Sequence, residues 1–334
     1  MISESITQVR DGQSLTEDQM AQVIDWIMKG NAEDAQIAAL LTALFEKGET
    51  VEELAGAARA MRWHMNPIKS RRENLIDTCG TGGGGAGTFN ISTAAAIIAA
   101  AAGAAVAKHG NRKSTSKTGS ADVLQELGVN IECDSSTVEK CMDEIGIGFC
   151  FAPLFHPSVR HVMNVRRSLP HPTVFNLLGP LCNPAEAPFQ VLGAGRGETR
   201  ELIAAALALL GTERSLVLHS HDGLGEISNT AVTDVCDVSG NEVTNVTMSP
   251  ADFGIESEEA SLKAENPAES AAIIKGVVDG NSGPHRDIVV INAAAAVWVS
   301  GVADSPVAAA ERCQAAIDGG EAQRVLARLI ELTS

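Results

Sequence analysis

Apolar residues in the first 65 positions recur at the spacing of amphipathic helices. Thr16 and Gln19 form a capping box ahead of one apolar run, and Gly30 ends the helix that this run predicts. A second helix follows, and Thr50 with Glu53 begins a third. Short helices of this kind bury little apolar surface on their own. We therefore expect the rest of the chain or a second copy of it to cover them, and we predict a homodimer formed through this region.

From residue 75 the pattern changes, and short apolar runs alternate with helical segments as in parallel βαβ units. Helices are predicted at 139–145, 198–210 and 308–332, the last interrupted at Gly319-Gly320. Residues 240–266 are polar and without a pattern, which indicates an excursion on the surface. Strands are predicted at 75–77, 104–108, 148–151, 190–192, 216–219 and 288–291.

Together the two patterns predict an α/β protein with a small all-helical N-terminal domain and a larger α/β domain. The larger domain is expected to have a mostly parallel central sheet flanked by helices. Pro67 and the charged run after it mark a linker, so we place the small domain at 1–66 and the large one at 67–334. Residues 155–188 are rich in Pro, His and Arg and indicate a crossing back toward the small domain, which part of 160–188 is expected to complete.

A glycine-rich loop stands between the first predicted strand and an alanine-rich helix. It contains four consecutive glycines, 82–85, and Asn90, Ser92 and Thr93 follow at the start of the helix. Glycines let backbone N–H groups turn toward an anion, and the helix dipole favours negative charge at this end. A glycine run alone is more often a simple turn. Fifteen residues after Thr93, however, a second donor-rich loop begins, with Lys108, His109, Arg112, Lys113 and Lys117. The two loops together predict a site for a substrate that carries several phosphates.

Composition narrows the choice of partners. Of 334 residues 45% are hydrophobic, but only 3% are aromatic and none is Tyr, which favours close packing of helices on a sheet through small aliphatic side chains. The formal net charge is −17, from 25 Lys and Arg against 42 Asp and Glu. A field of that sign repels nucleic acid and anionic membranes, so we expect neither as a partner. An anionic substrate must then be held by local donors, with a metal where they do not suffice.

The seven cysteines are scattered and show no CxxC pair. This pattern predicts reduced thiols, a cytoplasmic location and no zinc site. Cys79, beside the glycine loop, is either a nucleophile or a small residue at a strand end, and the second alternative is favoured. The alanine-rich run 94–107 has fourteen residues, too few to span a membrane, and predicts a buried helix that runs into a strand.

Two further groups have the chemistry of a binding site. Arg166 and Arg167 form a cationic pair that either fits a carboxylate or phosphate or lies on the surface without a ligand. Asp222 and Glu226 follow a predicted strand, at the edge where open α/β sheets bind ligands. Their oxygens suit Mg²⁺ completed by substrate phosphates, or else they cap the loop. These alternatives stay open on the residues alone.

Several motifs, taken in order, resemble the anthranilate phosphoribosyltransferase family over nearly the whole chain. They are the glycine loop with Asn90-Ile91-Ser92-Thr93, Lys108-His109-Gly110-Asn111-Arg112, Gly119-Ser120-Ala121-Asp122, Val165-Arg166-Arg167, Phe175-Asn176-Leu177-Leu178-Gly179-Pro180-Leu181, Asn183-Pro184-Ala185 and Asn292-Ala293-Ala294-Ala295-Ala296. The resemblance implies the fold shared with pyrimidine nucleoside phosphorylases, a hinge between two domains, a homodimer and a Mg²⁺-dependent reaction. That reaction transfers the phosphoribosyl group of phosphoribosyl pyrophosphate (PRPP) to the amine of anthranilate, in tryptophan biosynthesis.

The resemblance also implies roles for particular residues. Gly80, Asn111 and Arg166 would hold anthranilate, with Arg166 facing its carboxylate. Ser92 and Glu226 would serve the metal. No general base or catalytic nucleophile is expected, because the aromatic amine is neutral near pH 7 and the barrier lies in the departure of pyrophosphate. The residues implied for PRPP are Gly80, Gly83, Gly84, Thr88, Asn90, Ile91, Ser92, Thr93, Lys108, His109, Gly110, Asn111, Arg112, Lys113, Ser114, Thr115, Ser116 and Ser120.

The chain departs from the family pattern at three places. Gly84 and Gly225 each stand where the family usually has Asp, and Pro170-His171 replaces Gly and an aliphatic residue close to the implied anthranilate site. The loss of an adjacent carboxylate should weaken Mg²⁺ binding, with Asp222 as a partial substitute. We therefore predict that this chain requires more Mg²⁺ than typical relatives.

Two other functions compete with this interpretation. A pyrimidine nucleoside phosphorylase shares the phosphate loop, but residues 90–93 and the region around Arg166 match the transferase. A catalytically altered paralogue that binds nucleic acid would account for the two lost carboxylates. The net charge of −17 argues against it, because such a protein needs a broad basic surface.

Overall fold

A computed structural model describes residues 2–83, 87–113 and 118–334. Within this part of the chain, seven strands form one sheet: β1 (Leu75–Gly80), β2 (Ala105–Gly110), β3 (Ile147–Phe151), β4 (Phe189–Gly193), β5 (Arg214–Ser220), β6 (Thr233–Ser239) and β7 (Glu242–Met248). Their spatial order is β3-β2-β1-β4-β5-β6-β7. The first five strands in this spatial order, β3-β2-β1-β4-β5, pair in parallel. At one edge, β6 pairs with β5 and β7 pairs with β6, both antiparallel. The predicted α/β fold with a mostly parallel sheet is confirmed.

Fifteen α-helices surround the sheet in the described ranges. Four precede it: α1 (Ile2–Arg10), α2 (Glu17–Met28), α3 (Asp34–Lys47) and α4 (Val51–Trp63). The others are α5 (Ile91–Ala101), α6 (Ser120–Glu126), α7 (Ser135–Ile145), α8 (Ala152–Phe155), α9 (Arg160–Ser168), α10 (Phe175–Leu178), α11 (Arg200–Leu209), α12 (Pro267–Val278), α13 (Pro284–Val299), α14 (Pro306–Asp318) and α15 (Glu321–Thr333). None of these helices is both long and apolar enough to cross a membrane.

Capping chemistry begins the N-terminal helices where the sequence predicts. The hydroxyl of Thr16 accepts from the N–H of Gln19, whose side chain accepts from the N–H of Thr16. Thr50 and Glu53 repeat this arrangement at the start of α4. The Glu53 carboxylate is buried and also accepts from the N–H of Leu15. One side chain therefore caps α4 and holds it against the segment that precedes α2.

The predicted strand at 288–291 is wrong, because these residues lie within α13. Every residue from Ile288 to Val297 is buried, since α13 packs against α5, α14 and the sheet. A helix that is buried on all sides shows no amphipathic period. A short apolar run inside it therefore has the same pattern as a buried strand.

The prediction of a patternless surface excursion at 240–266 is also wrong in part, because this range contains β7. Only Met248 of β7 is buried, so the strand lacks the alternation that marks a half-buried strand. It is an edge strand that pairs with β6, which was itself not predicted. Its polar side chains are tolerated because nearly all of them face solvent.

Helices cover both faces of the sheet. On one face, α5, α6 and α12 to α15 pack over Ile76, Val106 and Leu216. On the other face, the N-terminal helices share a core with α9 to α11 and with Leu192 and Val217. Helix α11 packs against both α4 and β6. The N-terminal helices are therefore covered on one side by the larger part of the chain.

The order of the strands reverses beside β1. From β1 the chain runs to β2 and β3 on one side, and it then returns to place β4 on the other side of β1. In open α/β sheets, ligands bind beyond the carboxyl ends of the strands at such a point. The glycine loop follows β1 directly, so this topology puts it where a ligand is expected.

Candidate active site

The loops after β1, β2, β4 and β5 lie at the same edge of the sheet because these strands are parallel. The ends of β1 and β4 approach closely at Gly80 and Gly193. A Cβ on Gly80 would lie 3.1 Å from the carbonyl oxygen of Gly193, which also accepts from the N–H of Thr81 at 2.9 Å. This contact fixes the start of the glycine loop against β4.

Lys108 places a buried ammonium group beside the start of α5. Successive residues of β2 point to opposite faces of the sheet, and Lys108 points toward α5. Its Nζ donates to the carbonyl oxygen of Thr78 at 2.6 Å and lies 3.4 Å from Ser92 Oγ. Burial lowers the pKa of Lys108, and the carboxylates of Asp77 and Glu226 oppose that decrease. The cation is thus held in the interior by neighbouring oxygens.

The first turn of α5 is held in place through Asn90. Its N–H donates to Ser270 Oγ at 2.9 Å, its amide donates to Thr118 Oγ1 at 3.3 Å, and its Oδ1 accepts from the Thr93 hydroxyl at 2.7 Å. These bonds connect α5 to α12 and to the segment before α6. The N-terminus of α5 and the Lys108 ammonium group therefore lie next to one another, through Ser92, and both favour a bound anion.

Asp77 is a buried carboxylate to which the sequence analysis gave no role. It accepts from the N–H of His109 at 3.1 Å and from the Asn183 amide at 2.8 Å. Burial raises the pKa of Asp77 to about 6, while Lys108 and these hydrogen bonds oppose the increase. The signal that could have identified it is a charged residue inside an apolar strand directly before the glycine loop.

The His109 side chain points away from Lys108, to the other face of the sheet. Its Nδ1 donates to the carbonyl oxygen of Gly179 at 3.1 Å, and its ring lies 5.1 Å from the ring of His156. Burial, with a smaller effect of His156, lowers the pKa of His109 to about 3, so the ring is neutral and Nε2 is an acceptor. This Nε2 is buried and has no hydrogen-bond partner among the described residues.

The basic loop after β2 folds back on α6. Gly110 packs so closely on Ser120 that a Cβ on the glycine would lie 2.2 Å from Ser120 Oγ. Asp122 accepts from the Arg112 guanidinium at 3.2 Å and from the N–H of Lys113 at 2.9 Å. The structure therefore brings Gly110 and Ser120 together, while the side chain of Arg112 is hydrogen-bonded to Asp122 in α6.

Glu226 is half-buried in the loop that follows β5. Burial raises the pKa of Glu226 to about 7; Lys108 opposes this increase and Asp222 adds to it. Asp222 itself is exposed and accepts from the Ser228 hydroxyl at 2.7 Å and from the N–H of Leu224 at 3.3 Å. Asp222 therefore stabilises the loop through these bonds.

Arg166 is a partly buried cation in α9. Its guanidinium lies 5.4 Å from the ring centroid of Phe175, and burial lowers the pKa of Arg166. No carboxylate in the described ranges forms an ion pair with it, whereas the neighbouring Arg167 is exposed. Burial of a cation is costly unless an anion compensates it. This arrangement favours an anion-binding role for Arg166 over that of a surface pair.

The loop between α9 and α10 is attached to α3 by His171. Its ring stacks on Phe45 with centroids 4.3 Å apart, and its Nε2 lies 3.2 Å from Thr42 Oγ1. Its Nδ1 donates to the carbonyl oxygen of Pro172 at 2.8 Å. The departure from the family pattern at this position therefore fixes the loop that connects Arg166 to Phe175.

The described part of the chain contains no group of three or more His, Cys, Asp or Glu side chains arranged for a metal ion. Ser92 and Glu226 nevertheless both interact with Lys108. One hydroxyl and one carboxylate suit Mg²⁺, which often binds through one or two carboxylates while phosphates and water complete its shell. The predicted site residues Gly84, Ser114, Thr115 and Ser116 lie outside the described residues.

Two family models match the chain: "Glycosyl transferase family, helical bundle domain" over residues 3–65 and "Glycosyl transferase family, a/b domain" over residues 72–323. The anthranilate phosphoribosyltransferase of Rhodopirellula baltica is 51% identical over 330 residues, 98% of this chain and 96% of that protein. The crystal structure of the Thermus thermophilus anthranilate phosphoribosyltransferase superposes with a TM-score of 0.92 at 38% identity, covering 98% of this chain and 99% of that one. The Saccharomyces cerevisiae enzyme in complex with PRPP and Mg has a TM-score of 0.90 at 28% identity, covering 99% and 97%.

Proposed function

The chain belongs to the anthranilate phosphoribosyltransferase family, and on this premise we propose that it transfers the phosphoribosyl group of PRPP to the amine of anthranilate. The products are N-(5-phosphoribosyl)anthranilate and pyrophosphate, and the reaction is the second step from chorismate to tryptophan. The observation that carries this proposal is the buried Lys108 ammonium group beside Ser92 at the start of α5. A cation and a helix N-terminus at the carboxyl edge of the sheet suit a phosphorylated substrate.

The reaction requires little acid–base chemistry. The bond between ribose C1 and the pyrophosphate oxygen breaks, a bond between C1 and the anthranilate nitrogen forms, and that nitrogen loses a proton to pyrophosphate or water. The amine is neutral near pH 7, so its lone pair is available without a base. The protein must mainly align the two substrates and stabilise the charge of the departing pyrophosphate.

PRPP is proposed to bind between the glycine loop and the end of β2, on the residues that the resemblance implies. Lys108 and the N-terminus of α5 supply positive potential, and the Ser92 hydroxyl supplies a donor. The loop glycines Gly82 and Gly83 have φ of 69° and 83°, a conformation that exposes backbone N–H groups and strains other residues. Local donors of this kind offset the repulsion from a net charge of −17.

Anthranilate is proposed to bind at Gly80, Asn111 and Arg166, with the Arg166 guanidinium on its carboxylate. Two observations support this. Arg166 is partly buried without an ion pair among the described residues, and the face of Phe175 lies beside its guanidinium. A planar guanidinium matches a carboxylate through two parallel hydrogen bonds.

We extend the proposal to Mg²⁺, with Ser92 and Glu226 as protein ligands and with water and substrate phosphates in the remaining positions. When bound, Mg²⁺ neutralises charge on the leaving pyrophosphate. Lys108 interacts with both residues and is placed to act on the same phosphates. Asp222 lies in the same loop, but its bonds to Ser228 and Leu224 engage it there.

The proposal includes a homodimer formed through the N-terminal helices. Trp26, Phe45 and Trp63 are 39%, 41% and 57% exposed on this part of the chain. Aromatic side chains are enriched in protein interfaces. A second copy would cover them.

The proposed domain division is 1–66, completed by part of 160–188, and 67–334. Packing of α9 on α2 and α3 supports it, because α9 follows β3 in the chain but packs with the N-terminal helices. A cytoplasmic location is supported by the seven cysteines, all of which are free thiols.

The test is the loss of anthranilate fluorescence with PRPP and enzyme, measured while Mg²⁺ is raised from micromolar to tens of millimolar. Turnover that needs both substrates supports the proposal. Phosphorolysis of thymidine without turnover of anthranilate would assign the chain to the nucleoside phosphorylases instead. No turnover at any Mg²⁺ concentration, with PRPP still bound in calorimetry, would indicate a different acceptor or no catalysis.

A further inference from the structure

A segment after β7 packs across the exit of the glycine loop. We call residues 257–264 the strap. The N–H of Phe89 donates to the carbonyl oxygen of Leu262 at 2.8 Å, and the N–H of Ala264 donates to that of Gly87 at 3.0 Å. These two bonds form an isolated antiparallel bridge between Thr88 and the strap residue Lys263. The backbone of Lys263 is therefore fixed directly opposite a residue that we propose to contact PRPP.

The pattern of these bonds determines where the side chains lie. Thr88 and Lys263 exchange no hydrogen bond with each other; the bonds are made by the residues on either side of them. In such a non-hydrogen-bonded antiparallel pair the Cα atoms are about 4.5 Å apart and the two side chains lie close together on one face. The side chain of Lys263 therefore starts beside that of Thr88.

That face is turned away from the hydrophobic core. Phe89 and Ala264, which follow Thr88 and Lys263, are each 1% exposed and belong to the core. Side chains alternate between faces along extended backbone, so Thr88 and Lys263 point to the other side. In agreement, Lys263 is exposed. The Lys263 side chain is thus free to reach a ligand beside Thr88.

The strap itself is anchored at further points. The Asn229 amide donates to Ser257 Oγ at 2.9 Å, and this hydroxyl donates to Asp287 at 2.8 Å. His285 Nε2 donates to the carbonyl oxygen of Ser261 at 3.1 Å. The strap is therefore connected to α13 and to the loop that carries Glu226, and this loop lies at the ligand edge of the sheet.

Lys263 is the one basic residue of a long acidic stretch of the sequence. It is the only Lys or Arg between Arg214 and Lys275, in a segment that also contains Glu256, Glu258 and Glu259. Even so, Lys263 forms no ion pair with any residue in the described ranges. A cation at this position increases the local positive potential beside Thr88, just before α5.

We propose that Lys263 is a further binding residue for PRPP, with its ammonium group on a phosphate bound beside Thr88. This inference rests on the proposed function. Its chemistry is a charge-assisted hydrogen bond from Nζ to a phosphate oxygen, which adds a cation from the strap to the buried one of Lys108. Lys263 takes no part in bond breaking.

The test compares Lys263→Gln with Lys263→Arg and with a matched control, Lys275→Gln, which removes the same charge from α12. Lys263→Gln is expected to raise the KM for PRPP about tenfold, the usual order for one charge-assisted hydrogen bond, and to leave the KM for anthranilate unchanged. Lys263→Arg should keep most of the affinity, and Lys275→Gln should behave as wild type. Lys263→Gln should also show a weaker dependence of PRPP binding on salt, because one cation is missing.

Several outcomes would overturn the inference. They are a KM for PRPP in Lys263→Gln within about twofold of wild type, equal increases for both substrates, or an equal effect in Lys275→Gln. If wild type does not turn over anthranilate, the proposed acceptor has failed, and calorimetric PRPP affinities of the same variants decide the role of Lys263. If wild type does not bind PRPP at all, the proposed function and this inference fail together.

Discussion

Gly193, at the end of β4, touches the backbone of Gly225 in the loop that carries Glu226. A Cβ built on Gly193 would lie 1.9 Å from the carbonyl oxygen of Gly225. The contact is asymmetric, because a Cβ on Gly225 would meet nothing closer than 3.7 Å. Gly193 also pairs with Gly80 at the start of the glycine loop. The absence of a side chain at Gly193 therefore lets the loop of Glu226 pack next to the glycine loop.

Gly193→Ala is expected to displace the loop that carries Glu226. Because the added methyl group meets backbone atoms, which cannot rotate aside, the free energy of unfolding should fall by about 1–3 kcal/mol. The half-saturating Mg²⁺ concentration of the reaction should rise. Urea unfolding and a Mg²⁺ titration of activity measure the two effects. Gly225→Ala is the matched control and should be tolerated; equal losses in both variants would contradict the proposed packing.

Gly225→Asp is expected to lower the Mg²⁺ requirement. A Cβ on Gly225 would meet no atom closer than 3.7 Å, and φ there is not in the left-handed region, so the backbone at this position accepts a residue other than glycine. A second carboxylate beside Glu226 should lower the half-saturating Mg²⁺ concentration about tenfold, since metal affinity rises with the number of charged ligands. The same titration is made with Gly225→Asn, which adds the shape without the charge. A half-saturating Mg²⁺ concentration that does not change in Gly225→Asp would contradict the prediction that the missing carboxylate raises the Mg²⁺ requirement.

Arg166→Ala is expected to weaken anthranilate binding selectively. A lost hydrogen-bonded charge pair should raise the KM for anthranilate on the order of 10- to 100-fold, while the KM for PRPP stays near that of wild type. Steady-state kinetics with each substrate varied in turn measures both constants. Arg167→Ala removes the same charge from the exposed neighbouring position and should have little effect. If Arg166→Ala raised both constants equally, a role in folding rather than in anthranilate binding would follow.

His156→Phe tests the buried histidine pair next to the site. Burial lowers the pKa of His156 from its ordinary 6.5 to about 4, so the folded protein holds this ring neutral. A depressed pKa contributes stability that is present above pH 6.5 and lost as the pH falls toward 4. Between pH 7.5 and pH 5, wild type should therefore lose about 2 kcal/mol more of its free energy of unfolding than His156→Phe does. Urea unfolding of both proteins at the two pH values checks this. If the free energies of unfolding of wild type and His156→Phe differed by the same amount at pH 7.5 and at pH 5, the prediction would be refuted.

Prediction from sequence succeeded where a residue type has a specific local use. Thr16 and Thr50 cap helices, and glycines 82 and 83 turn a loop between a strand and a helix. It failed where periodicity carries no information. The run 288–291 is buried on all sides and gave no helical period, whereas β7 is exposed on nearly all of its length and gave no alternation.

The sequence was enough to propose residues for the candidate site but not to predict the directions of their side chains. Lys108 and His109 are neighbours in sequence, yet Lys108 contacts Ser92 on one face of the sheet and His109 contacts Gly179 on the other. A strand buried on both faces does not show in its sequence which residues face which side. Contacts between distant segments, such as that of Asp77 with Asn183, depend on the strand order and could not be predicted from spacing.

The N-terminal helices carry a further prediction, about assembly. Wild type is expected to be a dimer at micromolar concentration by light scattering, because Trp26 and Trp63 expose large aromatic surfaces there. Replacing both with Ser should weaken the dimer at least about tenfold, since buried Trp side chains often dominate interface energies. Leu209→Ser is the control: Leu209 is 49% exposed, but it lies at the end of α11 in the larger part of the chain. It should leave the mass unchanged. A monomeric wild type at micromolar concentration would rule out the dimer, and a dimer equally weakened by Leu209→Ser would place the interface elsewhere.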